Sequence, residues 1–390
     1  MHHGSGSFLL KKLVKQVGSP LLDAVGVFDR SIERLRHDTS VWTILMYHRV
    51  IRDVRDDPYD LGMCVQLRHF EQQLDYLRRH FTVLPVQDVV QRLARGETLA
   101  PGTVSITFDD GYLDNLQVAA PALERHGLPW SLYVTTGEID SGRAFWWDRV
   151  IRAVAVTERR QLDPRDLDHT QPFPAALGTE ALSLAPKDRR TTLTQLLDAL
   201  WCLPIEGVMA CVARLEALLI PGVAADIGPQ AARLSPTQLR ELVARGGVEI
   251  GAHTVDHPNL ALQSADEVLH EMNESRRYLE ALLDQPVPGF VYPGGRMSQA
   301  VVEQARSVGF LYALSTESRL NQCPTDLMRL GRIGMPDSAP ADFRRSLHSQ
   351  VQRLAQRALS RPASGQEPSR CAGKSARSVA SNLHKDRVFG

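Results

Sequence analysis

Three short clusters hold the side chains that could do chemistry together. The first is SITFDDGYLDN, where the apolar run 104–108 ends abruptly in Asp109-Asp110-Gly111. Adjacent carboxylates repel each other and need a cation, a proton or a donor beside them. A metal on one would leave the other free as a base. Taken alone, the triplet also reads as a turn, with Asp114 capping the next helix. The second cluster is VEIGAHTVDHPNL, where His253 and His257 stand four apart just after an apolar run. That spacing lets two imidazoles converge on one cation if the segment turns helically, and Pro258 stops the turn. Asp256 fits either as a partner orienting one ring or as a cap. The third is GFVYPGGR, where Tyr292 and Pro293 precede Gly294 and Gly295. Two glycines let a backbone N–H approach a ligand closely, which suits an oxyanion site, although Pro-Gly also makes ordinary turns. Two Asp and two His at separate strand ends make a His2-carboxylate site with open positions, the apparatus of metal-assisted hydrolysis.

The elements that must position these residues alternate. Strand-like apolar runs fall at 41–47, 81–84, 103–108, 131–135, 248–251, 289–292 and 311–315, with helical patterns between many of them, as at 70–80, 121–126, 265–283 and 299–308. Strand–helix alternation over this length predicts parallel strands covered by helices, in an open sheet or a barrel, with the site at the C-terminal strand ends. One helix is punctuated clearly: Ser235 caps it, Pro236 starts it, Gln238 completes a capping box and Gly246 ends it. The segment 155–234 breaks the rhythm and reads as a mostly helical insertion, either a lid over the site or a packing extension. No internal repeat is visible.

Composition narrows the functional classes. The 390 residues carry 45 Lys+Arg against 45 Asp+Glu, with 43% apolar and 23% charged residues, the balance of a folded soluble protein without a global attraction to nucleic acid. Cys64, Cys202, Cys211, Cys323 and Cys371 form no CxxC pair, so any metal rests on the carboxylates and the 13 His. Residues 1–40 read as an N-terminal helical extension. Within it Leu9, Leu10, Leu13, Val14 and Val17 share one helical face away from Lys11, Lys12 and Lys15. Peripheral membrane contact through residues 8–28 fits that pattern, and so does docking on the protein's own core. With no signal-peptide run and no apolar stretch near 20 residues, the expected location is cytoplasmic, at most membrane-associated. Residues 346–390 read as a helix end and a disordered basic tail.

In this order, TFDDG, HTVDH and the YPGG turn resemble the polysaccharide deacetylase family (carbohydrate esterase family 4, the NodB-homology domain), over about 43–335 without the insertion. The resemblance implies an α/β fold, a distorted (β/α) barrel related to the TIM barrel, spanning 41–345 here. It implies a divalent metal, commonly zinc, with Co2+, Ni2+ or Mn2+ as alternatives. By motif match Asp109 is the general base, and Asp110, His253 and His257 hold the metal. Attack of an activated water on an N-acetyl carbonyl would release acetate and a free amine, the oxyanion meeting the metal and a backbone N–H of the third motif at Gly294. Two positions depart from the pattern. Val291 stands where the family carries an Arg, leaving Arg296 or Arg332 to orient the base. The late segment LMRLGRIGM lacks the His that serves as general acid. ILMYHRV resembles the branch acting on poly-N-acetylglucosamine and exopolysaccharides, in which His48 takes that role, while its bland reading is a His satisfied by backbone at a strand end. In AFWWDRV, Trp147 and Asp148 could bind a sugar ring and its hydroxyls, although tryptophans are as often core anchors. Tyr112, Asn115 and Tyr292 would line the site. The implied partner is an N-acetylated sugar polymer or a lipid-linked glycan. Two other functions fit the same residues: a catalytically weak or inactive glycan-binding relative, and a metal amidohydrolase acting on a non-carbohydrate amide.

Overall fold

The computed structural model describes residues 26, 28–57, 59–167, 177–178, 180–222 and 232–359. The segment 8–28, apart from residues 26 and 28, and the tail from residue 360 lie outside them, as does Cys371. Among the described residues no helix is long and apolar enough to cross a membrane.

Seven parallel strands carry the site: β1 (Val41–Tyr47), β2 (Thr103–Phe108), β3 (Trp130–Val134), β4 (Val248–Ala252), β5 (Gly289–Val291), β6 (Tyr312–Leu314) and β7 (Ile333–Gly334). Among the described residues, eleven α-helices accompany them: α1 (Asp29–His37), α2 (Leu67–His80), α3 (Val86–Ala94), α4 (Ala120–His126), α5 (Trp146–Val156), α6 (Arg189–Leu200), α7 (Ile205–Leu219), α8 (Pro236–Arg245), α9 (Ala265–Leu283), α10 (Gln299–Val308) and α11 (Pro340–Leu359). The sheet runs β6-β5-β4-β3-β2-β1, with β7 on the far side of β1. Tyr47 pairs with Phe108, Phe108 with Leu132, Val134 with Ala252, and Val291 with Leu314. The chain just before β7 links the sheet's two edges. Leu330 bridges Leu314 of β6 in parallel, and Ile333 pairs with Leu45 of β1. The curled sheet is therefore a distorted barrel, as expected, with its last strand reduced to a few residues.

Residue alternation explains the barrel. Every residue of β1 is buried, as in a strand covered on both faces. Trp42 and Ile44 join Tyr133, Val291, Tyr312 and Leu330, contributed from around the ring, in one apolar cluster. Val41, Leu45 and Tyr47 instead pack with the helices, against Phe70, Leu74 and Leu347 among others. The period of two thus sends alternate side chains inside and outside. The capping box at Ser235 and Gln238 forms as expected, and a second one, Ser264 with Glu267, starts α9.

Within the insertion, α6 and α7 pack with α5 around a separate apolar cluster that includes Trp146, Leu193, Leu197, Val212 and Leu215. A half-buried fork ties α5 to α7: Arg149 Nε donates to Glu216 Oε1 at 3.0 Å and Nη2 to Oε2 at 2.5 Å. The chain leaving the insertion returns beside the Asp109–Gly111 turn, where Leu113 N–H donates to Ala232 O and Leu234 N–H to Gly111 O.

Candidate active site

His48 follows β1, Asp109 and Asp110 follow β2, His253 follows β4, and Tyr292 follows β5, so the clusters meet at the C-terminal ends of the parallel strands. Asp110 takes a left-handed backbone with φ of 74°, tolerated by a short polar residue, and this turns the second carboxylate away from the first. The two histidines do not converge through a helical turn. The segment after β4 is irregular, with Thr254 at φ 66° and His257 at φ 55°. Two contacts hold that loop: His257 N–H donates to Thr254 Oγ1 at 3.0 Å, and the N–H groups of Val255 and Asp256 both donate to Glu271 Oε2. A carboxylate collecting two loop amides does the work that helix hydrogen bonds would have done.

Asp110 Oδ1 lies 3.6 Å from His253 Nε2 and 3.8 Å from His257 Nε2. One carboxylate oxygen and two imidazole nitrogens all lie within 4.8 Å of one another, and all three residues are buried. His253 Nδ1 is 2.9 Å from the Val291 carbonyl. A carbonyl only accepts, so Nδ1 carries the proton and Nε2 keeps its lone pair. Burial holds both imidazoles below the ordinary histidine range, so they are neutral at pH 7. Both carboxylate oxygens of Asp110 are buried without a hydrogen-bond partner. Burial first, and the neighbouring Asp109 charge next, push this carboxyl far above its usual range. A buried, unpaired carboxylate facing two neutral imidazoles is costly by itself and is satisfied by a divalent cation, so the residues fit the expected metal.

Asp109 has the opposite surroundings. Arg332 Nη1 and Nη2 each donate at 2.7 Å to one of its oxygens. Arg332 is itself fully buried, with Nε on Ser315 O at 3.0 Å and Nη1 also on Thr107 Oγ1 at 3.2 Å. Burial alone would raise the Asp109 carboxyl, and the guanidinium outweighs it, holding the group down at about 2. Of the two arginines expected to orient Asp109, Arg332 reaches it, whereas Arg296 is exposed. His48 Nε2 is 3.9 Å from Asp109 Oδ2, and burial lowers its imidazole to about 4 against the pull of the Asp109 charge.

The remaining expected residues have other surroundings. The Tyr292 hydroxyl donates to Met328 O at 3.1 Å. Gly294 and Gly295 are left-handed, at φ 55° and 65°. A Cβ on Gly294 would lie 2.5 Å from the Trp201 ring, so only glycine fits under that indole. Trp147 is buried, stacked on Phe145 with centroids 4.5 Å apart, and 4.7 Å from the His257 ring. Its Nε1 donates to Tyr112 Oη at 2.7 Å, which donates to Asp148 Oδ2 at 2.9 Å. Burial raises Asp148 to about 7. Asn115 Nδ2 donates to the His48 carbonyl at 2.9 Å and holds the backbone there. Sequence reasoning missed Glu271 and Trp201. Glu271 shares the apolar face of α9 with Val268 and Met272, and a carboxylate on a buried face was the available signal. Trp201 gave none, because an indole at the end of an apolar helix reads as core.

Residues 205–313 match the family model described as polysaccharide deacetylase. The resemblance to the polysaccharide deacetylase family holds. The match covers His253, His257 and the YPGG turn but stops short of TFDDG and His48. The chain is also similar to the putative polysaccharide deacetylase YxkH of Bacillus subtilis, 27% identical over 113 residues, which are 26% of this chain and 38% of that protein. It thus spans little over a third of that relative's length. Among solved structures it is similar to the Streptococcus pyogenes deacetylase PplD, determined in complex with acetate, with a TM-score of 0.53 and 20% identity over 80% of this chain and 99% of that one. That likeness supports the deacetylase-type barrel.

Proposed function

We propose that this protein is a metal-dependent hydrolase that removes N-acetyl groups from sugar residues of a polysaccharide or a lipid-linked glycan and releases acetate. One observation carries the proposal: the unpaired Asp110 carboxylate faces two neutral imidazoles, while its neighbour Asp109 is locked by Arg332 and lies within reach of His48. Asp110, His253 and His257 would hold the cation, zinc being the best fit to two imidazoles and a carboxylate. When bound, it supplies Lewis acidity toward a carbonyl oxygen and lowers the pKa of water.

The chain's own groups move the proton. Asp109 is ionised at pH 7 and accepts a proton from the attacking water. His48 starts neutral, so the proton it gives to the leaving nitrogen is the one released by water, passed across the 3.9 Å gap from Asp109. The ionised Asp109 favours the proton on His48, and the Arg332 fork prevents the carboxylate from turning away. The turn Pro293–Gly295 contributes the backbone N–H for the oxyanion. The test is acetate release from N-acetylglucosamine oligomers by the zinc-loaded protein and by Asp109→Asn. Release by the wild type and its loss in the variant support the proposal; release by neither overturns it.

A further inference from the structure

The two histidines of the metal-facing cluster are held by different means. His253 is oriented by its hydrogen bond to the Val291 carbonyl. His257 Nδ1 is buried and has no hydrogen-bond partner. An imidazole ligand without an acceptor on its second nitrogen is free to swing about its ring bond unless packing prevents it. Packing is what surrounds it. The His257 ring lies 4.7 Å from Trp147 and 5.5 Å from Trp201, measured between centroids, and 4.7 Å edge-on from His253. Each indole is fixed in turn. Trp147 is pinned through Tyr112 to Asp148. Trp201 sits at the end of α6, where only the absence of a Cβ on Gly294 lets it approach.

Trp201 belongs to the insertion, and further bonds tie its loop to the histidine loop. Asn259 Nδ2, two residues past His257, donates to the Trp201 carbonyl at 3.1 Å. Ile205 N–H, at the start of α7, donates to Gln263 Oε1 at 3.3 Å. The insertion therefore holds the chain that follows His257 at Trp201 itself and at Ile205, four residues further on.

We infer that Trp201, with Trp147, is a positioning residue that fixes the His257 imidazole by packing in place of a hydrogen bond, which makes the helical insertion a structural part of the metal centre. This rests on the proposed metal site. Its consequence is that metal affinity depends on a side chain from an element that supplies no ligand.

The experiment titrates the chelator-stripped full-length protein with Co2+ alone and follows visible absorption, which reports affinity and coordination geometry without any substrate. Trp201→Leu keeps an apolar side chain but removes the flat wall. It should weaken Co2+ binding by about tenfold or more, the usual effect of losing a group that orients a metal ligand, and alter the absorption band. Trp201→Phe restores a ring and should recover most of the affinity. Leu215→Ala opens a cavity in the same apolar cluster and should leave the titration unchanged. Wild-type affinity in Trp201→Leu overturns the inference, as does an equal loss in Leu215→Ala, which would trace the effect to insertion stability. A wild-type protein that binds no Co2+ overturns the metal reading itself, a result distinct from either.

Discussion

Arg332 grips both carboxylate oxygens of Asp109 at 2.7 Å although 223 residues separate the two. The pair spans the join between the first strands of the ring and its last, so Asp109 is locked only once the barrel closes. Arg332→Met would leave a buried, unpaired carboxylate, and should cost about 3–5 kcal/mol of stability in urea unfolding. It should also move the acid limb of the pH–rate profile upward, because burial without the guanidinium raises Asp109. An unmoved acid limb would show that Asp109 is not the titrating base.

His48 is the proposed acid, with Nε2 3.9 Å from Asp109 Oδ2. His48→Ala should lower acetate release by about 10²–10⁴-fold, the range for a lost acid–base group, while Co2+ affinity stays at the wild-type value. Unimpaired turnover would remove His48 from the mechanism.

Gly294→Ala meets two penalties, a left-handed backbone at φ 55° and a Cβ 2.5 Å from the Trp201 ring. Gly127 is left-handed too, at φ 63° and ψ 33°, but has nothing within 4 Å of its would-be Cβ. Gly127→Ala should therefore cost about 1–2 kcal/mol, from backbone strain alone. Gly294→Ala should cost more by about 1–3 kcal/mol from overpacking. Thermal unfolding of the two variants checks the difference, and equal losses would mean that Trp201 yields freely.

Glu249, on β4 ahead of His253, accepts from Gln87 N–H on both oxygens, from Ser131 Oγ at 2.6 Å and from Tyr312 Oη at 3.2 Å. Burial raises its carboxyl from 4.5 to about 7. A raised folded-state pKa means that the unfolded chain loses this proton first as pH rises. The contribution to stability is complete below pH 4.5 and is lost on going up through about 7. Wild-type urea stability should thus decline between pH 5 and pH 8, and Glu249→Gln should flatten that decline. An unchanged slope in the variant would assign the decline to other groups.

The parts of the site visible in the sequence are those whose logic is local. TFDDG and HTVDH each place two functional residues within five positions, next to a strand that announces itself by apolar content. Residues 265–283 and 299–308 were legible as helices from their apolar period alone. What could not be read depends on closure. Arg332 stood beside Arg296 as an equal candidate, since nothing within LMRLGRIGM says which arginine crosses the ring. Strand β7, two residues long, is too short to show alternation. The histidine pair was expected on a helical turn, and the left-handed residues Thr254 and His257 that replace it carry no sequence signal comparable to glycine. The burial of Trp147 between Phe145 and His257 depends on the insertion, whose role as lid or packing extension the sequence left open.

The central claim is that Asp110, His253 and His257 hold a catalytic metal beside Asp109. Acetate release from N-acetylglucosamine oligomers by the stripped protein, before and after addition of one equivalent of Zn2+, tests it most directly. The account predicts little release before addition, recovery after it, and no recovery in Asp110→Asn. Full release by the stripped protein, or recovery in Asp110→Asn equal to that of the wild type, would contradict it.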